Sequence, residues 1–153
     1  MSLLRSLFGA PPIKKMKARR DIKGLIRSLR DDPRRARRAA RALGELRSRR
    51  ATRPLLEALK SKHESVRLAA AEAIGAIGDE RATEPLLALL KSSSRKSVRY
   101  AAAQALGALG DHRAVAPLSD MFPQADRETR HAIADALVGI CNTRAAKQGI
   151  SAR

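Results

Sequence analysis

The string VRLAAAEAIGAIGDERATEPLLALL at 66–90 returns as VRYAAAQALGALGDHRAVAPL at 98–118, offset by 32 residues throughout. Val66-Arg67 answers to Val98-Arg99, Ile74-Gly75 to Leu106-Gly107, and Gly78-Asp79 to Gly110-Asp111. Arg81-Ala82 matches Arg113-Ala114, and Pro85-Leu86 matches Pro117-Leu118. A fixed period of this length specifies an array of small units, each too small to bury its apolar face alone. The spacing predicts two helices per unit, with first helices near 64–77 and 96–109 and second helices near 82–92 and 114–122.

The residues that repeat have readable structural roles. Gly78 and Gly110 suit the left-handed position that ends a helix. Asp79 and Asp111 can then accept backbone N–H bonds in the turn or at the next helix start. Pro85 and Pro117 fall in or near a first turn, where a missing N–H costs little. Gly75 and Gly107 lie inside helices at a cost of about 1 kcal/mol each against alanine, which a close neighbouring helix would offset. Arg81 with Asp79, and Arg113 with Asp111, are placed for a ladder of ion pairs between neighbouring repeats.

Looser copies flank the two clean ones. The intervals Gly24 to Pro54, Pro54 to Pro85 and Pro85 to Pro117 are 30, 31 and 32 residues. Residues 13–30 therefore read as a degenerate first repeat whose second helix buries Ile22, Leu25, Ile26 and Leu29. In 33–61, Ala39, Ala40, Leu43 and Leu46 form one apolar stripe and Leu55, Leu56 and Leu59 another. Arg47-Ser48 stands there in place of Gly-Asp. A last unit begins at Ala125, with Cys141 in the glycine position of the turn and Gln148 in place of proline. It is expected to end in a short, weak helix, with 151–153 frayed. Residues 1–12 carry Leu3, Leu4, Leu7 and Phe8 on one helical side and read as an apolar cap or arm. Residues 13–150 read as a single repeat domain.

The pattern VRxAAAxALGxLGDxRAxxPLLxAL resembles the HEAT-like repeats of the phycobilisome-lyase (E-Z) type, and the likeness covers about nine-tenths of the chain. It implies an all-α fold: a right-handed α-solenoid of about four to five stacked antiparallel helix pairs, second helices lining the concave side. It also implies a non-catalytic scaffold or adaptor, since enzymatic branches need residues this chain lacks. The di-iron hydroxylases of this class use repeated His-Glu pairs within first helices. Here His63-Glu64 is a single pair ahead of its helix, and His131 is followed by Ala132. The glycosylases need an acidic residue among aromatics including tryptophan, and this chain has no tryptophan. Nothing marks a chromophore site as in the bilin lyases. Cys141 has no positioned histidine and reads as a half-buried thiol. No metal, cofactor or small-molecule substrate is expected.

What remains unusual is charge. The formal net charge is +17, and residues 1–50 alone carry +13 of it. The series is Lys14, Lys15, Lys17, Arg19, Arg20, Lys23, Arg27 and Arg30, then Arg34, Arg35, Arg37, Arg38 and Arg41. Such a block attracts acidic partners and polyanions. Three partner classes follow. An acidic protein would meet Lys23, Arg27, Arg30, Arg53, Lys60 and Lys91 on second helices. A DNA or RNA backbone would be held through its phosphates without base readout, because aromatics for base stacking are scarce. An anionic membrane surface would be met through residues 1–20. No apolar run reaches the roughly 20 residues of a membrane span, and a soluble cytoplasmic protein is expected.

Overall fold

The computed structural model describes residue 9 and residues 11–149. The expected cap over 1–12 therefore lies outside the described residues, apart from Gly9, Pro11 and Pro12, as does the frayed end at 151–153. The described residues form nine α-helices and no strand: α1 Ile13–Ala18, α2 Ile22–Ser28, α3 Pro33–Glu45, α4 Thr52–Ala58, α5 Glu64–Ile77, α6 Thr83–Ser92, α7 Lys96–Leu109, α8 Val115–Met121 and α9 Arg127–Lys147. Short 3₁₀ turns at Arg49–Ala51, Glu80–Ala82 and His112–Ala114 lead into α4, α6 and α8. The odd-numbered helices make one layer, in which α3, α5, α7 and α9 pack side by side, and the even-numbered helices make the other. This is the expected α-solenoid.

Small side chains set the spacing of the first-helix layer. Ala39, Ala40, Ala70, Ala71, Ala101, Ala102 and Ala103 are fully buried, with Leu43, Ile74, Leu106 and Ile133 filling the interior. A Cβ added to Gly44 would lie 2.9 Å from Ala73 Cα, and one on Gly75 would overlap Ala108 Cβ. Gly107 and Gly139 bring α7 and α9 to near backbone contact. The close approach expected at Gly75 and Gly107 is therefore present, and it recurs at Gly44 one unit earlier. In the last unit Val138 takes this register position and is 60% exposed.

Gly78 and Gly110 end α5 and α7 in the left-handed conformation, at φ 67° and 69°. Arg47 occupies the same register after α3 at φ 48°. A side chain there costs about 1 kcal/mol, which glycine avoids at the expense of a more flexible unfolded chain. Arg47→Gly is expected to raise the melting temperature by about 2 °C, read by circular dichroism. An unchanged or lowered value would show that the arginine side chain stabilises its turn.

The repeats are joined differently from the expected ion-pair ladder. Arg81 folds back onto Asp79 of its own turn, with Nη2 to Oδ2 at 2.8 Å, and Arg113 does the same onto Asp111 at 2.7 Å. The turn aspartate, two residues back, is the nearest carboxylate each guanidinium meets among the described residues. The link between units comes instead from buried threonines at the start of the preceding second helix. Thr52 Oγ1 donates to Asp79 Oδ2 at 2.8 Å, and Thr83 Oγ1 donates to Asp111 Oδ2 at 2.5 Å. Of these two turn arginines, Arg113 also makes a cross-repeat contact, to Glu80 at 3.5 Å. The backbone N–H groups of Arg81 and Arg113 donate to the same aspartates, as expected.

The last unit departs most from its sequence reading. No turn forms at Cys141; α9 runs unbroken for 21 residues and a left-handed glycine, Gly149, follows it. Cys141 carries a Cβ that disfavours the left-handed stop, and the following alanines, arginine and lysine favour continuation. Cys141 is accordingly exposed on a helix rather than half-buried in a turn.

Candidate partner-binding surface

The second helices are short and leave grooves between them. Between α2 and α4 lies a cavity of about 430 Å³, lined by Ile26, Leu29, Ala58 and Val66, with Arg30, Arg53 and Glu57 among its edges. Between α4 and α6 a smaller one of about 240 Å³ is lined by Leu56, Pro85 and Leu89, with Arg53, Glu57 and Lys60. Arg53 borders both. Ile26, Leu29, Leu56 and Leu89 are only partly buried, so they offer apolar surface to a visitor as well as to the core. Lys60 is held by Glu57 at 3.3 Å, whereas Arg30 and Arg53 meet no carboxylate within salt-bridge distance among the described residues. The chemistry on offer is apolar contact beside unneutralised guanidinium groups. A family model described as HEAT repeats matches residues 22–99 and 82–138, which spans both grooves.

The chain belongs to the HEAT repeat family. HEAT repeats are scaffolds that mediate protein interactions. An engineered protein solved by crystallography is similar at 24% identity over 87% of this chain and 68% of that one, with a TM-score of 0.48. No curated protein matches the chain significantly.

Within this HEAT array the basic series does not form one group. Lys14, Lys15 and Lys17 lie on α1, with Arg19 and Arg20 in the turn after it. Lys23 and Arg27 lie on α2 and Arg30 just beyond, in the second-helix layer, while Arg34, Arg35, Arg37, Arg38 and Arg41 lie on α3 in the first. Several already have partners. Lys17 pairs with Glu45, and Arg41 Nε is 4.0 Å from Glu72 across to α5. Arg35 donates from Nε to Asp31 at 2.8 Å and from Nη2 to the Pro11 carbonyl at 2.6 Å, so it ties the chain start to α3. Arg34, Arg37 and Arg38 share an exposed stripe of α3 with no carboxylate in reach among the described residues.

The N-terminal start of α3 follows from Asp32, whose Oδ1 accepts from Arg34 and Arg35 N–H, and from Pro33 at the first helical position. His63 precedes α5 as its cap residue, and His131 stands exposed on α9, so the two are not brought into one pair of helix positions. No described helix is long and apolar enough to cross a membrane.

The sequence pattern marks the leucines and isoleucines of the second helices as core, but Ile26, Leu29, Leu56 and Leu89 are half-buried and shape grooves. The signal was the shortness of these segments: seven residues in α2, α4 and α8 leave little side-chain surface to close the gap.

Proposed function

We propose that this HEAT repeat protein, of the E-Z subclass suggested by its AAEAIGAIGD and AAQALGALGD segments, is a non-catalytic scaffold that holds an acidic protein partner on its second-helix layer. The observation that supports it is Arg53 bordering two apolar grooves with Arg30 at the first, neither neutralised among the described residues. An amphipathic acidic segment would bury apolar side chains along α2, α4 and α6 while its carboxylates meet Arg30 and Arg53. Partial desolvation in the grooves would strengthen the attraction between carboxylate and guanidinium. Fluorescence anisotropy with a labelled peptide of alternating leucine and glutamate is expected to show saturable binding. The double variant Arg30→Glu with Arg53→Glu is expected to weaken it about tenfold or more. Equal affinity of the variant and the parent would overturn this placement.

A second reading rests on the stripe Arg34, Arg37 and Arg38, which suits a phosphate backbone of duplex DNA or structured RNA. Gel shifts over a salt series test it with Arg34, Arg37, Arg38 and Arg41 replaced by glutamine. Arg35 is left intact because of its bonds to Asp31 and Pro11. Binding undiminished in that variant removes the reading.

A further inference from the structure

The arginine of the Val-Arg pair is solved two ways in adjacent repeats. Arg99 is fully partnered: Nη1 donates to the Ser93 carbonyl at 2.9 Å, Nε to Thr129 Oγ1 at 2.8 Å, and Nη2 to Asp126 Oδ2 at 2.8 Å. Asp126 is the cap residue of α9, and its Oδ1 accepts from the Thr129 N–H at 2.9 Å. The Asp126 carboxylate thus sits between an arginine of one repeat and the helix start of the next. The Thr129 N–H and hydroxyl, with Arg99 beside them, hold it below the usual carboxylate range.

Arg67 starts from the same pose. Its Nη1 donates to the Ser61 carbonyl at 2.8 Å and the Lys62 carbonyl at 3.1 Å, and Ser61 is the register equivalent of Ser93. The acceptors for the rest of the group are gone. Val98 stands where Thr129 does, and Arg95 stands where Asp126 does. Arg67 is 6% exposed, and its Nε is buried with no hydrogen-bond partner among the described residues. Arg95 caps α7 with no side-chain bond to its first turn, a 14-residue helix whose opening N–H groups lack a carboxylate. Arg67 and that first turn, Lys96 and Ser97, line one cavity of about 680 Å³ beside the Tyr100 ring. Glu64 and Glu128 also line it, and Lys96 Nζ holds Glu128 at 3.0 Å.

We propose that this cavity is a carboxylate site: an aspartate or glutamate side chain of a protein partner binds between Arg67 and the N-terminus of α7, the place Asp126 fills one repeat later. A carboxylate there accepts from the Arg67 guanidinium and from the Lys96 and Ser97 N–H groups, the Val98 N–H being given to the Arg95 carbonyl at 3.0 Å, at a helix start where the dipole favours negative charge. Arg127 of the lining adds positive charge against Glu64, while Lys96 and Glu128 neutralise each other. The arrangement is on the first-helix layer, away from the grooves of α2 and α4. It is therefore a second contact for an acidic partner, and it stands or falls separately from the Arg30 and Arg53 surface.

The test is a nitrogen-15 NMR titration at constant ionic strength with two probes, sodium acetate and the peptide Ac-Ala-Glu-Leu-Ala-NH2. Saturable shifts of the Lys96 and Ser97 amides and of Arg67 Nε–H are expected with both, with the peptide about tenfold tighter. No matching shift is expected at the start of α9, where Asp126 already sits. Arg95→Asp supplies the carboxylate internally and is expected to abolish the shifts and raise the melting temperature. It should raise it more than Arg95→Asn, which caps the helix but brings no charge. Shifts that fail to saturate, or that persist in Arg95→Asp, would overturn the site. Equal stabilisation by aspartate and asparagine would remove the arginine from it. A peptide no tighter than acetate would overturn its assignment to a protein side chain.

Discussion

Gly75→Val is expected to destabilise the protein by about 3 kcal/mol and to lower its melting temperature by roughly 10 °C. The cause is not helix propensity. A Cβ at position 75 overlaps Ala108 Cβ, and that atom is fixed to the α7 backbone, so α5 and α7 must move apart. Separating them loosens the interface that includes the buried Ala70, Ala71, Ala101 and Ala105. Ala76→Val, one residue on and exposed, carries a propensity cost that Gly75→Val does not, yet without the overlap it is expected to shift stability by well under 1 kcal/mol. In a solenoid each unit is stabilised by its neighbours, so the damage should be local. Hydrogen exchange is expected to accelerate first in α5 and α7. Equal effects of the two valines, or uniform acceleration along the chain, would refute the close-approach argument.

The second large effect is expected from Asp111→Ala, at about 3 kcal/mol. The Asp111 carboxylate accepts from the Thr83 hydroxyl, from the Arg113 N–H at 3.0 Å and from the Arg113 guanidinium. Removing it strands a fully buried hydroxyl and uncaps the turn before α8. Thr83→Val removes the hydroxyl instead and leaves Asp111 on Arg113, so about 1 kcal/mol is expected. Urea denaturation of the two variants separates the contributions, and a Thr83→Val loss as large as that of Asp111→Ala would show that the hydroxyl bond carries the joint.

The same carboxylates predict an acid transition. Asp79 is lowered from 3.8 to about 2, chiefly by the Arg81 side chain against burial, with help from Thr52. Burial raises Asp111, but Arg113, Thr83 and the turn N–H outweigh it and bring it to about 2 as well. Both groups bind protons more weakly folded than unfolded. Their stabilisation is complete above about pH 4 and is lost as pH falls towards 2, on the order of 2 kcal/mol for each. Asp111→Ala should flatten this part of the stability profile.

Period and composition sufficed for the element order. The offset between 66 and 98 placed α5 and α7 to the residue, because a repeat dictates every copy once one is read. The left-handed glycines at 78 and 110 were equally legible, since no other residue ends a helix there without strain. Legibility failed where a copy departs from the pattern. The register puts a turn at Cys141, whereas a helix with nothing to stop it continues to Lys147. The ladder of ion pairs failed for a different reason. Arginine two residues from aspartate is a local pair, and the threonine that crosses to it lies 27 or 28 residues away, where no pattern announces a hydrogen bond.

By itself, then, the sequence determined that this chain is a stack of helix pairs with its positive charge concentrated at one end. Backbone sterics and apolar spacing act locally and repeat with the period. Only the tertiary structure decided which charges are spent on internal partners and which stay open. That depends on what the next repeat presents at each register position. Arg99 meets Asp126 and Thr129, Arg67 keeps a buried Nε that bonds nothing among the described residues, and two identical letters in the sequence become one closed joint and one open site.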